Sequence, residues 1–196
     1  MSGGASSTPS RTVVLVGLMG AGKSNIGQRL AARLHLPFVD ADTEIEAAAG
    51  ETIEEIFQHH GEAYFRDGER RVIARLLDGP PHVLATGGGA FMDAQTRARI
   101  RARGISIWLR ADLELLLTRV ARRNNRPLLK DGDRRAVLAA LIEQRYPIYA
   151  EADITVDSIS GPPELTLGRV LAELARFLAA EGETTGPAAA SGGAAR

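Results

Sequence analysis

No cysteine occurs anywhere in the 196 residues, which removes disulfides, thiolate nucleophiles and cysteine-ligated zinc and is compatible with a reducing compartment. Lysine is nearly missing: only Lys23 and Lys130 stand among 24 basic side chains. A lysine kept in a chain that otherwise spends arginine on positive charge is informative, because ammonium and guanidinium differ in geometry and hydration. Net charge is also absent, 24 basic residues balancing 24 acidic ones. No overall field therefore recruits nucleic acid or an anionic membrane surface, and partners must be argued from local sites. No run approaches the ~18 apolar residues of a membrane span. The opening MSGGASSTPSR lacks the apolar core of a secretory signal and has too little arginine for a transit peptide. A cytoplasmic protein is expected.

What remains is ordinary for a globular protein, 44% apolar and 24% charged, at a length suited to one domain with a full core. Residues 1–11, rich in Ser and Gly, and the aperiodic GETTGPAAASGGAAR at 182–196 read as flexible tails, which puts the domain at 12–181. Strand and helix patterns alternate inside it. Thr12-Val13-Val14-Leu15-Val16 is a continuous apolar run, the pattern of a strand buried on both faces. SNIGQRLAARLHL carries Ile26, Leu30 and Leu34 at helical spacing, and PFVD (37–40) is a second strand. Two short helices close at Gly50 and Gly61, and a longer one follows over roughly 62–78. Gly68 inside it costs ~1 kcal/mol relative to alanine and weakens its continuity. HVLAT, ISIWL and DITVD supply three more strands. The remaining helices are AQTRARIRARG, LELLLTRVARR capped by Asp112, AVLAALIEQRY and ELTLGRVLAELARFLAA. RRNNRPLLKDGDRR breaks the pattern as a charged, mobile loop. Five strands alternating with helices imply an α/β three-layer sandwich around a parallel sheet.

GLMGAGKS, Gly17 to Ser24, matches G-x-x-x-x-G-K-S and lies where that motif works, between a buried strand and a helix. Backbone N–H groups there surround a phosphate chain while the helix N-terminus adds partial positive charge. Nucleotide contacts are expected from Gly20, Ala21, Gly22, Lys23, Ser24 and Asn25. Lys23 would reach the β- and γ-phosphates and the Ser24 hydroxyl would hold Mg²⁺.

Phosphoryl transfer also needs a metal support and a positioned acceptor. VDAD puts Asp40 and Asp42 past the second strand, at the sheet edge where open α/β proteins bind ligands. Residues two apart in extended chain share a face, so both reach one cleft; alternatively Asp40 is a turn residue and Asp42 the N-cap of the helix that follows. Most of the 22 arginines must be solvated surface charge. Arg66 stands out beside Phe65 on an inward stripe, with Glu69 three residues on to orient it. Arg145 ends the inward face of its helix, and Arg126 lies in the charged loop where closure would bring it to the transferring phosphate. Two inward arginines suit a small carboxylate-bearing acceptor, which a guanidinium grips bidentately. Thr86 is followed by Gly87, Gly88 and Gly89, bare backbone that serves either a pocket floor or a strand-to-helix turn beside the nucleotide.

GLMGAGKS, FVDADTEIE, IFQHHGEAYFRDGE, ATGGGA, NRPLL and RYPIYAEAD resemble, in order and separation, the motifs of the shikimate kinase family, over residues 12–157. The resemblance implies a P-loop fold like that of nucleoside monophosphate kinases, with a helical substrate-binding segment and a lid at about 122–134. It implies transfer of the ATP γ-phosphate to the 3-hydroxyl of shikimate by a monomer using one Mg²⁺. By the same likeness Asp40 supports the metal through water, and Asp42 binds shikimate hydroxyls and takes the proton. Arg66 and Arg145 grip the carboxylate, Gly87, Gly88 and Gly89 floor the pocket, and Gly88 is the residue singled out. Lys23 and Arg126 meet the phosphates, and Arg119 stacks on adenine. Three departures stand out: Asn25 follows the P-loop serine, Gly68 separates Arg66 from Glu69, and SISGPPELT offers no assignable adenine-side residue. A gluconate-type kinase and a non-catalytic P-loop regulator are the competing readings.

Overall fold

The computed structural model describes residues 9–121 and 133–184. Its sheet comprises β1 (Thr12–Val16), β2 (Phe38–Asp40), β3 (Val83–Ala85), β4 (Gly104–Arg110) and β5 (Ile154–Asp157). The strand order is β2-β3-β1-β4-β5, and every pairing is parallel. Seven α-helices flank it among the described residues: α1 (Lys23–Leu34), α2 (Ala41–Ala49), α3 (Ile53–Leu77), α4 (Ala94–Arg103), α5 (Leu113–Ala121), α6 (Arg134–Tyr149) and α7 (Pro163–Thr184). Helices α1 and α7 pack on each other and on β3 and β5, while α4 packs on β4 and α3.

The unbroken apolar run of β1 is explained by its central place, since Val13, Val14, Leu15 and Val16 are all fully buried. A Cβ at Gly27 would stand 2.6 Å from the Phe38 ring, so that glycine lets α1 lie close to β2. The main core joins β1, β3, β4 and the facing helices, and Ile45, Ile56, Phe65 and Val72 form a smaller apolar cluster between α2 and α3. No helix among the described residues is long and apolar enough to cross a membrane.

Several boundaries differ from the sequence reading. The helices expected before and after Gly61 form one element, α3, kinked there by non-helical angles of φ 80° and ψ 176°. Gly68 does not interrupt it, because the burial of Phe65, Glu69, Val72 and Ile73 outweighs a ~1 kcal/mol propensity loss. Helix α6 runs through Pro147 to Tyr149, beyond the expected end; proline forfeits one helical hydrogen bond, and the fully buried Tyr149 side chain anchors the last turn. A short 3₁₀ turn over Ala90–Met92, unforeseen, follows the glycines. Asp112 caps α5 as expected, accepting from Leu115 N at 2.8 Å.

Because every strand runs the same way, the chain leaves β1, β2, β3 and β5 at one sheet edge. Beyond β1 the order also reverses, β2 and β3 lying on one side and β4 and β5 on the other. That crevice is where ligands bind in open α/β sheets.

Candidate active site

The loop after β1 needs its glycines for stated reasons. Gly17 has φ 138°, and a Cβ there would stand 2.7 Å from the Leu109 carbonyl oxygen. Gly22, at φ 102°, occupies the N-cap of α1 with no side-chain cap, so the helix N–H groups face the cleft rather than a capping side chain. Lys23 Nζ donates to the carbonyls of Gly17 at 2.7 Å and Leu18 at 3.0 Å, holding the ammonium over the loop.

The Ser24 hydroxyl donates to Asp40 Oδ2 at 2.8 Å. The other Asp40 oxygen accepts from Asp42 N at 3.1 Å and caps α2. The cap is thus Asp40, and Asp42, the alternative candidate, sits in the first turn of the helix. An all-oxygen pair at the phosphate loop suits a hard cation such as Mg²⁺.

Across the cleft each of the three glycines meets a charged or polar side chain. A Cβ on Gly87 would lie 3.0 Å from both Asp42 Oδ1 and Glu69 Oε1. The Gly88 carbonyl accepts from Arg145 Nη1 at 3.0 Å and from the Tyr149 hydroxyl. A Cβ on Gly89 would collide with the Arg66 guanidinium at 2.4 Å. Arg66 in turn donates to Glu69 at 2.7 Å and to Glu62 at 3.3 Å, so the Gly68 departure leaves the Arg66–Glu69 pair formed.

Glu69 is only 3% exposed, and its Oε1 has no hydrogen-bond partner among the described residues. Burial pushes its carboxyl above the usual range, Arg66 pulls it back, and the charges of Asp42 and Asp93 add to the rise. Burial likewise pushes the Tyr149 hydroxyl up to about 12, which keeps it a donor at neutral pH.

A cavity of about 440 Å³ joins these parts. Gly20, Gly22, Lys23, Ser24 and Asn25 line its phosphate end, Asp40, Asp42, Gly87 and Gly88 its other end, and Arg119 its wall. Ala21, Gly89, Arg66 and Arg145 are not part of that lining, and Arg126 lies outside the described residues. Of the expected lid, 122–134, only the last two residues are described; there Asp133 caps α6 and Arg134 opens it.

Arg119 is drawn into the framework: it donates to Gly20 O at 3.3 Å, Ala21 O at 3.1 Å, Ser158 Oγ at 2.8 Å and Ile159 O at 2.8 Å. It ties the phosphate loop to the segment after β5. That segment, unassigned from sequence, supplies Ser158, Gly161, Pro163 and Thr166 to the cavity. Its place at the C-terminal end of a strand was the available signal. Tyr149 gave none, since a tyrosine near a helix end is usually core.

The shikimate kinase family model matches residues 19–176. The chain is 64% identical over 168 residues to a shikimate kinase of Paramagnetospirillum magneticum, covering 86% of each chain. It is 56% identical over 178 residues to that of Bradyrhizobium diazoefficiens, covering 91% of this chain and 86% of the relative. Among solved structures, the shikimate kinase of Acinetobacter baumannii in complex with shikimate superposes with a TM-score of 0.79 at 36% identity, over 89% of this chain and 96% of the other.

Proposed function

The chain belongs to the shikimate kinase family of ATP-dependent small-molecule kinases, and we propose that its cleft passes the ATP γ-phosphate to the 3-hydroxyl of shikimate using the residues described above. The observation that carries this reading is the glycine turn. Asp42, Glu69, Arg66, Arg145 and Tyr149 all converge on Gly87, Gly88 and Gly89, and Asp42, Gly87 and Gly88 share one cavity with the phosphate loop.

In this reading the ATP phosphates lie against the N–H groups of Gly20 to Asn25, and Lys23 turns from the Gly17 and Leu18 carbonyls to the β- and γ-oxygens. The adenine lies toward Arg119 and the Ser158–Thr166 segment. Arg66 and Arg145 hold the shikimate carboxylate, each fixed from behind, Arg66 by Glu69 and Arg145 by the Gly88 carbonyl. The 3-hydroxyl oxygen bonds to the γ-phosphorus as the bond to the β-bridging oxygen breaks. Asp42 accepts the hydroxyl proton, and ADP leaves. Ser24 and Asp40 fit Mg²⁺ and would hold it, directly and through water respectively; when bound, the ion neutralises charge on the β- and γ-phosphates. Arg126 adds positive charge from the lid. A single kinase domain over 12–181, acting as a cytoplasmic monomer, completes the proposal.

A coupled ADP-release assay tests it: Mg-ATP turnover should depend on shikimate and be absent with gluconate or nucleoside monophosphates. Gluconate-dependent turnover would move the acceptor to the competing class. ATP binding without shikimate binding in a calorimetric titration would replace the enzyme with a nucleotide-binding regulator.

A further inference from the structure

A cluster at the α2–α3 corner takes no part in phosphoryl transfer. Glu51, in the turn after α2, meets an imidazole on each carboxylate oxygen: His59 Nδ1 lies 2.9 Å from Oε1, and His60 Nε2 lies 3.1 Å from Oε2. All three prospective ligand atoms fall within 4.8 Å of one another. Consecutive helical residues point about 100° apart, so adjacent histidines do not ordinarily converge on one partner. Here they stand just before the Gly61 kink. His59 uses its near nitrogen while His60 reaches with its far one, and His60 rests on the Tyr64 ring at 4.5 Å.

We propose that Glu51, His59 and His60 bind a divalent transition-metal ion of the zinc type. Imidazole nitrogen and carboxylate oxygen are ligands that zinc takes at ~2.0–2.2 Å, and at a tetrahedral angle two such atoms stand about 3.3–3.5 Å apart. The nitrogen–oxygen separations are 2.9 Å to one carboxylate oxygen and 3.1 Å to the other. One ligand atom from each residue lies within 4.8 Å of the rest, so side-chain rotations that turn one oxygen toward both imidazoles bring the three onto an ion. The nitrogen donors separate this site from Ser24 and Asp40, whose oxygens suit Mg²⁺. The imidazoles, His59 foremost through its hydrogen bond, hold the Glu51 carboxyl below its usual range, so the resting form is already the ligating one. Side-chain exposures of 32% for Glu51, 56% for His59 and 41% for His60 give the ion access and leave its remaining position to water, the character of an exchangeable site. Because the ligands come from both sides of the α2–α3 junction, a bound ion ties the turn after α2, the helix of Asp42, to the first half of α3, the helix of Arg66.

The test is calorimetric titration of the untagged, chelator-stripped full chain with zinc chloride, with saturating Mg²⁺ and ADP present to occupy the phosphate loop. One ion per chain should bind. The His59→Gln/His60→Gln double variant should bind more than about a hundredfold more weakly, since loss of even an outer partner costs 10–100-fold, while keeping wild-type turnover as proof of an intact fold. Should that variant not fold, Glu51→Gln serves, with the same loss expected in direction. Absence of binding to the wild-type chain, or binding that survives in a folded variant, overturns the proposal.

Discussion

Replacing Gly89 with alanine separates packing from backbone conformation at the acceptor pocket. Gly89 has φ −96° and ψ −17°, angles that alanine adopts freely, so no strain arises from the backbone. The new methyl would stand 2.4, 2.6 and 2.7 Å from Arg66 Nη1, Nη2 and Cζ, nearly 1 Å inside ordinary contact. Arg66 is the mobile partner, and it must leave the position that Glu69 and Glu62 hold. A charge-assisted hydrogen bond contributes ~1.5–3 kcal/mol, and each 1.4 kcal/mol is tenfold. KM for shikimate should therefore rise about 10- to 150-fold while KM for ATP stays near its wild-type value. Gly88→Ala is the contrast: its nearest atoms would be at 3.6 Å, so its methyl disturbs no protein group and acts only by filling the cleft. Steady-state kinetics on Gly89→Ala, Arg66→Ala and the double variant decide the matter. If the methyl acts through Arg66, it adds nothing once Arg66 is gone. Additive effects, or equal loss for both substrates, would refute the reasoning.

Three further outcomes are expected. Lys23→Ala should lower kcat by at least about a hundredfold, the scale of a lost transition-state donor, with the far-ultraviolet spectrum unchanged. Asp42→Asn keeps shape and removes the base, so single-turnover measurements should show the chemical step slowed by ~10²–10⁴-fold; a near-normal rate would remove Asp42 from that role. The Glu69 carboxyl, raised by burial above its ordinary value of 4.5, favours the fold most when protonated, and that contribution is lost as pH climbs through the raised value. The Tm of Glu69→Gln relative to wild type should accordingly rise as pH climbs above that ordinary value, and a constant difference would contradict the assigned direction.

Much of the fold was legible because its signals are local. The run from Thr12 to Val16 can only be satisfied in the middle of a sheet, and the glycines that follow it at 17, 20 and 22 are demanded by backbone geometry within the eight residues Gly17 to Ser24. Acidic and arginine candidates were legible as candidates, by their position at strand ends or on inward stripes. Their division of labour was not. Whether Asp40 or Asp42 caps α2 turns on one hydrogen bond, and Gly68 matters little because packing that is distant in sequence holds α3.

Tertiary structure alone decided the rest, because it rests on contacts between residues far apart in the chain. Arg119 ties the phosphate loop to Ser158 across 39 residues, and Tyr149 reaches Gly88 across 61; no periodicity or motif spacing encodes such pairs. The glycine triplet shows the division. Sequence marked three glycines at the C-terminal end of the third strand as bare backbone, for a pocket floor or for a turn. Only the folded chain showed what each one meets: two carboxylates crowd Gly87 and Arg66 crowds Gly89, while at Gly88 Arg145 stands at ordinary contact distance.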